Sequence, residues 1–568
     1  MSLIGALNIG KSALAAHQAA IQVTSNNISN AGNPDYTRQV ARISPNPDHQ
    51  LKPGAMIGTG VTITGIDRQI DQALEERIRG SISDSESAGV SQQWLGRVEA
   101  VFNGSGEDYL SNQLTAFFDS WSQLANTPQD EAKREIVVNN AQSLANTVRS
   151  LKTQLDGLKS DIRMQLSSLA TDANSLADKI AKLNQQIVSI ESSSGGTANS
   201  LRDQRDANLK SLAKLVDIKT SESENGDVTV TVGGETLVAG NINRGIIAKE
   251  SLDGQNHATV LAVKADGSTV NATSGQAGAL VGLRDEIGSI SDKLDTLVGN
   301  LIFQVNHLHS QGQGIDGYSQ VISSNSVADP NTTLDSDAAG LAFKPVNGSF
   351  QIQVRRKSDG GVIKGGMVQV DLDGLGADDS LNSLATKINN SLPDVIASVI
   401  GGKLKIEAVS KSDMEVTFSE DHSYVLAALG INSFFSGTGA ADVAVIADVQ
   451  ANSSLIAAAK NGSKLDNTTA QEIFNLQTKS LADLGNVSIK DSYDAIVTDL
   501  AVSAAGARSN AEAAQVINET LSTQREALSG VSLDEEAINL MQEQRAYQAA
   551  ARVVSAIDEM MQTLLQMV

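Results

Sequence analysis

The chain closes with LDEEAINLMQEQRAYQAAARVVSAIDEMMQTLLQMV (residues 533–568), and the apolar side chains of this stretch recur every seven positions. Side chains seven positions apart lie almost in line on an α-helix, so the spacing predicts a helix with one narrow apolar stripe. The opening of the chain has the same spacing. The stripe residues are Leu7, Leu14, Ile21 and Ile28 at the start, then Leu533, Leu540, Tyr547, Val554, Met561 and Val568 at the end, with Ala550, Ile557 and Leu564 in the companion row.

A helix with one narrow apolar stripe is stable mainly when another helix covers that stripe. The first helix is also rich in alanine and asparagine, so it has little to bury on its own. We therefore expect the two ends to pair as a coiled coil and to become fully ordered against further subunits. The expected assembly interface is Leu7, Leu14, Ile21, Ile28, Leu540, Tyr547, Val554, Ile557, Met561 and Leu564.

Length and charge narrow the class of protein. With 568 residues the chain is too long for one ordinary core, so several domains are expected. The chain has 43 basic and 66 acidic residues and a net charge of −23, which disfavours binding to nucleic acid phosphates. Cysteine is absent, which excludes disulfides, thiolate metal ligands and a cysteine nucleophile.

No apolar run in the sequence approaches the length of a membrane span, so no membrane association is expected. The start of the chain does not resemble a cleaved leader, because no Lys or Arg precedes its apolar stretch and Asn8 and Lys11 interrupt that stretch. Any export from the cell is therefore expected to proceed without cleavage of a signal peptide.

Helix signals dominate the chain outside its middle. The first helix is predicted from about Ser2 to Asn30, with Gly32 in the left-handed conformation at its end and Pro34 beyond. A long helix is predicted to begin with Thr127 as its cap and Pro128 as its first residue. Its apolar stripe continues to the break at residues 192–196.

Strand patterns occupy two stretches inside this helical frame. Within residues 217–272, Val228, Val230 and Val232 alternate with threonines, which predicts a small β insertion there, and residues 346–435 are predicted to be mostly strand. The predicted fold class is therefore a multidomain α+β protein. Its predicted domains are an inner coiled-coil domain (1–67 with 531–568), a long-helix bundle or shoulder domain (68–320 with 450–530) and an outer, mainly-β domain (321–449).

One stretch imitates a nucleotide-binding loop. Residues 5–12, GALNIGKS, match the phosphate-binding pattern GxxxxGK[ST]. That pattern needs a preceding strand and a loop, whereas Leu7 and Leu14 carry a helical stripe through the segment. A P-loop nucleotide-binding enzyme is thus the alternative of a different class, and the helical interpretation is favoured.

Other candidate sites are weaker. Residues 312–317, GQGIDG, match the dinucleotide pattern GxGxxG, but they follow a helix instead of a strand, so a turn is expected. His307 and His309 point to different sides of a helix and have no carboxylate cluster beside them in the sequence. Asp371 and Asp373 lack the spacing of a calcium loop, and the Asp378–Asp379 pair is interpreted as solvated loop charge. No catalytic, metal or cofactor site is predicted, and the protein is not expected to be an enzyme.

Two terminal motifs resemble those of bacterial flagellar axial proteins. At the start, SNNISNAGNPDYTR (residues 25–38) resembles the N-terminal motif of rod, hook and hook-associated proteins. At the end, LMQEQRAYQAAARVV (residues 540–554) is similar to their C-terminal motif. The motif residues taken from the resemblance are Asn26, Asn27, Asn30, Gly32 and Tyr36.

Two internal stretches narrow the resemblance to the FlgK family of hook-associated proteins. They are NHLHSQG (residues 306–312, continuing to Gly317) and LGINSFFSG (residues 429–437). The resemblance implies a secreted structural subunit, exported by the flagellar type III apparatus, at the junction between hook and filament. It further implies a homo-oligomeric ring, the hook protein and the second hook-associated protein as axial neighbours, and an export chaperone on the C-terminal helix. The nearest alternative within the same class is a hook or distal-rod protein.

Overall fold

The computed structural model describes residues 3–52, 54–102, 110–253, 256–460, 462–463 and 465–566. Ser2 and Val568, to which the predicted terminal helices extend, lie outside the described residues. The chain divides into two compact units. The first comprises residues 1–94, 161–284 and 505–568, and the second comprises residues 95–160 and 285–504.

Long helices and small sheets make up the described chain, which confirms the predicted mixture of helix and sheet. In this part of the chain, the helices are α1 (Leu3–Ser29), α2 (Gln72–Phe102), α3 (Leu110–Asn126), α4 (Glu131–Ser194), α5 (Asn199–Leu215), α6 (Gly275–Ser310), α7 (Leu381–Ser391), α8 (Val425–Leu429), α9 (Ala447–Ala451), α10 (Thr468–Asn475), α11 (Ile489–Ser529) and α12 (Leu533–Gln566).

The strands are short and their pairings are antiparallel. They are β1 (Gln39–Pro45), β2 (His49–Lys52), β3 (Ala55–Ile57), β4 (Val61–Arg68), β5 (Ile218–Glu222), β6 (Val228–Val232), β7 (Glu235–Ala239), β8 (Ile242–Asn243), β9 (Ile246–Asp253), β10 (Asn256–Val263), β11 (Thr269–Val270), β12 (Gln320–Ile322), β13 (Gly348–Arg356), β14 (Val362–Val370), β15 (Val395–Ile400), β16 (Lys403–Ala408), β17 (Met414–Ser419), β18 (Phe435–Ser436) and β19 (Ala444–Val445).

In the first unit, the terminal helices α1 and α12 lie beside the β1–β4 pair, and the β2–β3 hairpin extends the same region. Residues 217–272, the predicted β insertion, contain two sheets with strand orders β5-β6-β7-β8 and β11-β10-β9. Its valines alternate as predicted: Val228, Val230 and Val232 are buried between half-buried threonines. Gly226 forms the preceding turn at a φ of +85°, a conformation that favours glycine.

In the second unit, two three-stranded sheets, β14-β13-β17 and β12-β16-β15, contain most of the strand residues that the sequence predicted between 346 and 435. An aromatic core joins α3 to the β18 region. Phe117 and Phe435 have ring centroids 5.6 Å apart, and those of Trp121 and Phe434 are 5.3 Å apart. Aromatic residues make up only 3% of the chain. This cluster therefore places several of the few large aromatic side chains of the protein in one part of the core.

The start of α4 corrects a prediction. Thr127 and Pro128 lie in a turn before the helix, which begins at Glu131. The cap is Asp130, whose Oδ1 accepts hydrogen bonds from the backbone N–H groups of Ala132 (2.9 Å) and Lys133 (3.4 Å). Aspartate caps a helix as well as threonine does and also stabilises its positive end, so the motif was correctly recognised but placed three residues too early.

Candidate assembly site at the terminal helices

The two terminal helices run antiparallel against each other. Gly10 of α1 lies against Val554 of α12, since a Cβ atom added at Gly10 would lie 2.6 Å from Val554 Cγ2. Further along, His17 Nδ1 lies 2.7 Å from Glu543 Oε2. Near the end of α1, Asn27 Nδ2 donates to Glu536 Oε2 at 2.9 Å. As the residue number rises in α1 it falls in α12, which defines the antiparallel direction.

The face of α1 that is buried consists of small side chains. Its buried residues are Gly10, Ala16, Ala20, Val23, Thr24 and Asn27. Small side chains allow two helix backbones to approach closely, and at Gly10 the approach leaves no room for a methyl group. The predicted stripe Leu7, Leu14, Ile21 and Ile28 lies on a different flank of α1 and is only half-buried.

The predicted interface residues of α12 are likewise incompletely covered within one subunit. Ile557 is buried, whereas Leu540, Val554 and Met561 are half-buried. Tyr547 is 36% exposed and Leu564 is more exposed still. Of this predicted set, Val554 lies against Gly10 of α1, and Tyr547 and Leu564 face solvent.

The side chain of Asn27 makes four hydrogen bonds at the centre of the N-terminal motif. Its side-chain Nδ2 donates to Gln39 O and to Glu536 Oε2, both at 2.9 Å. Its Oδ1 accepts from Tyr36 Oη at 2.7 Å and from Gln39 N at 3.1 Å. An amide side chain can donate twice and accept twice, so this buried asparagine uses its full hydrogen-bonding capacity. It thereby joins the end of α1 to β1 and to the start of α12.

The other motif residues shape the turn that leaves α1. Asn26 Nδ2 donates to Tyr36 Oη at 3.1 Å, and Asn30 Nδ2 donates to Asn26 O at 2.9 Å. Burial raises the pKa of Tyr36 to about 12, so its hydroxyl stays protonated and can donate to Asn27. Gly32 does not adopt the predicted left-handed conformation. The helix ends instead in successive backbone turns, in which Asn30 N and Ala31 N donate to carbonyls three or four residues earlier.

Charged residues missed by the sequence reasoning hold this turn from two sides. Arg38 Nε and Nη2 reach Glu536 Oε1 at 2.9 and 2.8 Å, and Glu536 is 2% exposed. Glu536 lies in the first turn of α12, where the positive end of the helix also favours an acidic residue. Its partner Arg38 is the last residue of the N-terminal motif and the only basic residue in it. This single basic residue, together with acidic residues in the C-terminal helix, was the sequence signal from which the ion pair could have been predicted.

On the other side, Glu75 of α2 accepts from Arg525 Nε at 2.6 Å and pairs with Lys210 Nζ at 3.0 Å. Arg525 Nη1 also donates to Pro34 O at 3.0 Å, which connects α11 to the motif turn. Burial alone would raise the pKa of Glu75, but Lys210 and Arg525 outweigh it and hold this pKa below its usual value. The carboxylate is therefore charged at neutral pH and balanced by two cations.

The two internal stretches of the resemblance also meet, in the second unit. Asn306 Oδ1 accepts from the backbone N–H groups of Phe434 (2.9 Å) and Phe435 (2.8 Å), and its Nδ2 donates to Phe435 O at 2.8 Å. Asn432 Nδ2 donates to Gly312 O at 2.9 Å, with longer bonds to two preceding carbonyls. These asparagines satisfy buried backbone groups where α6 ends, which is a structural role.

Neither of the two glycine patterns that resemble nucleotide-binding loops, residues 5–12 and 312–317, has the structure that such a loop requires. Residues 5–12 lie inside the continuous helix α1, where Gly10 faces Val554 and Ser12 Oγ accepts from Val61 N at 3.3 Å. Residues 312–317 form the predicted turn, in which a side chain at Gly312 or Gly317 would collide with neighbouring strands and loops. Gly10, Gly312 and Gly317 thus allow neighbouring residues to pack closely against the backbone.

The acidic loop after β14 requires one correction. Asp371, Asp373 and Asp378 lie close enough for their carboxylates to approach one another. Asp379, however, is 2% exposed and is not the solvated charge predicted. Its carboxylate accepts from Asp371 N (2.7 Å), Ser383 Oγ (2.7 Å) and Lys387 Nζ (2.6 Å), so it anchors the start of α7.

Comparison with known proteins finds similarity to flagellar proteins. The family described as the flagellar hook-associated protein FlgK helical domain matches residues 95–323. The family described as the flagellar basal body rod FlgEFG protein C-terminal matches residues 524–567. Flagellar hook-associated protein 1 of Salmonella typhimurium is 25% identical over 98% of this chain and 99% of its own length. The Bacillus subtilis protein of the same name is 27% identical over 98% and 97%.

The chain is therefore similar to flagellar hook-associated protein 1 over nearly its whole length, and part of it matches the FlgK family. This similarity confirms the predicted resemblance to flagellar hook-associated proteins, which are structural components of the flagellum. The solved structure of the flagellar hook junction protein FlgK from Burkholderia pseudomallei shares the fold, with a TM-score of 0.54 and 15% identity over 80% of this chain and 100% of that one. Among the described helices, none has the length and apolar character needed to cross a membrane.

Proposed function

We propose that this protein is the structural subunit that forms the junction between hook and filament, and that it assembles through its two terminal helices. The single observation that carries the proposal is the exposure of α12. Of its described residues, Glu536 and Ile557 are buried, while most of the rest face solvent. A long helix with so little buried surface needs further partners for its stability.

Several of the exposed residues of α12 are large and apolar. Large side chains with more than a third of their surface accessible are Leu533, Ile538, Met541, Tyr547, Val553, Met560, Leu564 and Leu565. Exposed apolar surface of this extent on one helix is typical of an interaction site. The half-buried stripe Leu7, Leu14, Ile21 and Ile28 on α1 adds a second apolar strip. The occupants that we propose are the same helices of neighbouring copies.

The remaining partners follow from the family. The subunits are proposed to form a ring, with the hook protein and the second hook-associated protein as axial neighbours. The same exposed methionines and leucines would promote aggregation in the cytoplasm, so an export chaperone is proposed to cover α12 before secretion. The three predicted domains, 1–67 with 531–568, 68–320 with 450–530, and 321–449, remain a proposal for how the assembled subunit is organised.

The test is Tyr547→Asp in the full chain. A charge at this exposed position should leave the subunit folded but prevent helices of neighbouring copies from covering it. We expect cells carrying this variant to secrete flagellin without attaching filaments to their hooks. Gln548→Asp is the matched control, because it adds the same charge to the adjacent exposed residue and should support filaments. Normal filaments on Tyr547→Asp cells would contradict the proposal.

A further inference from the structure

Four aromatic side chains of the second unit stack into one cluster, which we call the aromatic platform: Phe303, His307, Phe343 and Tyr424. The ring centroids of Phe303 and Phe343 are 4.9 Å apart, and those of His307 and Tyr424 are 4.4 Å apart. Each of the four residues is half-buried, whereas the aromatic core around Phe117 is fully buried. The platform therefore presents part of its aromatic surface to solvent.

The backbone of Tyr424 is strained. Its φ is +59°, in the left-handed region that residues other than glycine rarely adopt. The fully buried carboxylate of Asp421 holds this turn, because it accepts from Ser423 N and from Leu426 N, each at 2.9 Å. A glycine would adopt this backbone without strain, so a tyrosine here indicates a role for the ring beyond the turn itself.

Basic residues surround the platform. Burial, together with the charges of Lys479, His422 and Lys460, lowers the pKa of His307 to about 4. Lys460 Nζ pairs with Glu472 at 2.9 Å, whereas the exposed Lys479 has no ion-pair partner among the residues that the structure describes. The chain as a whole has a net charge of −23, so this surface is an exception to its acidic character.

The loop after β14 has the complementary features, and we call its residues 373–378 the acidic tip. Leu375 is 80% exposed and is the most exposed large apolar residue in the described part of the chain. Gly374 and Gly376 on either side of it have φ values of +73° and +100°. These conformations favour glycine, and the tight turn that they form leaves Leu375 standing free of its own subunit.

Hydrogen bonds within the acidic tip fix its shape. Asp373 Oδ1 accepts from Leu375 N at 2.7 Å, and Asp378 Oδ1 accepts from Gly374 N at 3.0 Å. The carboxylates of these two residues and of Asp371 lie close together. The tip thus presents one large apolar side chain with negative charge concentrated beside it.

We propose that the acidic tip of one copy docks on the aromatic platform of the next copy, with Leu375 against the rings and Asp373 paired with Lys479. This inference rests on the proposed assembly of copies and adds a contact in the second unit to those of the terminal helices. Apolar and aromatic groups at the centre of a contact, with opposite charges beside them, are typical of specific protein interfaces.

The occupant is a second copy because Leu375 is too exposed to contact the platform of its own subunit. The tip and the platform are different surfaces, so the contact joins copies head to tail. Repeated head-to-tail contacts close into a ring or continue as a helix, in keeping with a tubular junction.

Disulfide trapping tests the contact, since the native chain has no cysteine. The full chain would carry Leu375→Cys together with Ala342→Cys, an exposed position next to Phe343. Oxidation of isolated hooks with attached filaments should give a ladder of linked copies on a denaturing gel, at least tenfold stronger than with either cysteine alone. Leu375→Cys with Met164→Cys is the control, because Met164 is 61% exposed but lies in the first unit; it should give no ladder.

A charge exchange tests the ion pair. Lys479→Asp and Asp373→Lys should each reduce the fraction of cells with filaments at least tenfold, because like charges would meet in the contact. The double variant restores opposite charges and should recover most of the filaments. Lys182→Asp is the control, because it makes the same change at another exposed lysine and should leave filaments normal.

Absence of the ladder would overturn the docking, and so would dimers without higher oligomers, which indicate a two-fold contact. Normal filaments on Lys479→Asp cells, or a double variant no better than the single ones, would also overturn it. None of these results would affect assembly through the terminal helices, which Tyr547→Asp tests separately. Conversely, filaments on Tyr547→Asp cells would refute that assembly, while the ladder would still establish the contact between tip and platform.

Discussion

Gly10 of α1 and Val554 of α12 are in direct contact, and the space between them is too small for a methyl group. Valine has restricted rotamers in a helix, so Cγ2 cannot easily move aside. This one contact sets how closely the two chain ends approach. It also explains the second glycine of the GxxxxGK[ST] match by packing instead of phosphate binding.

Gly10→Ala should therefore loosen the terminal pair. Alanine favours a helix by up to about 1 kcal/mol over glycine, but the overlap with Val554 should cost about 1–3 kcal/mol and dominate. We expect faster hydrogen exchange in α1 and reduced filament attachment. Adding Val554→Ala removes Cγ2 and should restore slow hydrogen exchange in α1 as well as normal filament attachment. Gly89→Ala in α2, where a Cβ meets no atom within 4 Å, should be harmless; equal effects of the two glycine substitutions would rule out the steric explanation.

Lys11→Ala should have no effect on assembly, because Lys11 is an exposed residue in the middle of a continuous helix. Titration calorimetry of the native protein with Mg-ATP should show no saturable heat. Saturable binding that disappears in Lys11→Ala would support the nucleotide-binding alternative and contradict the helical interpretation of residues 5–12.

Asn306→Ala should strongly destabilise the second unit. It removes the acceptor for two buried N–H groups and the donor for a buried carbonyl, a loss of about 3 kcal/mol or more. The chain has two tryptophans, so urea unfolding followed by Trp121 fluorescence in a Trp94→Phe background reports on this core.

Asn300→Ala on the same helix is the control for Asn306, because the Asn300 side chain donates to Thr296 O in an exposed position. It should change the free energy of unfolding by less than about 0.5 kcal/mol. Similar midpoints for the two variants would refute the structural role assigned to Asn306.

Acid should destabilise the second unit through His309. Burial lowers the pKa of His309 to about 4, and both ring nitrogens are engaged, with Nδ1 at 2.7 Å from Asn432 O and Nε2 accepting from Ala457 N at 2.9 Å. The neutral ring fits this arrangement, whereas a proton on Nε2 would face a second N–H group. Because the folded pKa lies below the unfolded value near 6.5, the stabilisation is complete above pH 6.5 and is lost as pH falls toward 4.

Between pH 7 and pH 5 this linkage should remove about 2 kcal/mol from the free energy of unfolding. His309→Gln can keep both hydrogen bonds without titrating, so its urea midpoint should depend less on pH over this range. The exposed His49→Gln should retain the native pH dependence. An unchanged pH profile in His309→Gln would show that another group is responsible.

Periodicity and end signals were sufficient to predict the two terminal helices, the long helix α4 and the two β regions, because all of these depend on local sequence. The heptads predicted α1, α12 and most of α4, and the alternating valines predicted β6. Local signals were less reliable at boundaries. Thr127-Pro128 and Asp130 are both good caps, and which one is used depends on the packing of the whole helix.

The sequence by itself determined that both chain ends are helices with apolar stripes too exposed for a lone subunit, since heptad spacing is a property of one helix. Only the tertiary structure decided that α1 meets α12 at Gly10, because a glycine there lets Val554 approach more closely than a larger side chain would. It alone brought Arg38 to Glu536, residues almost 500 positions apart. A buried ion pair depends on long-range register, which no local pattern encodes.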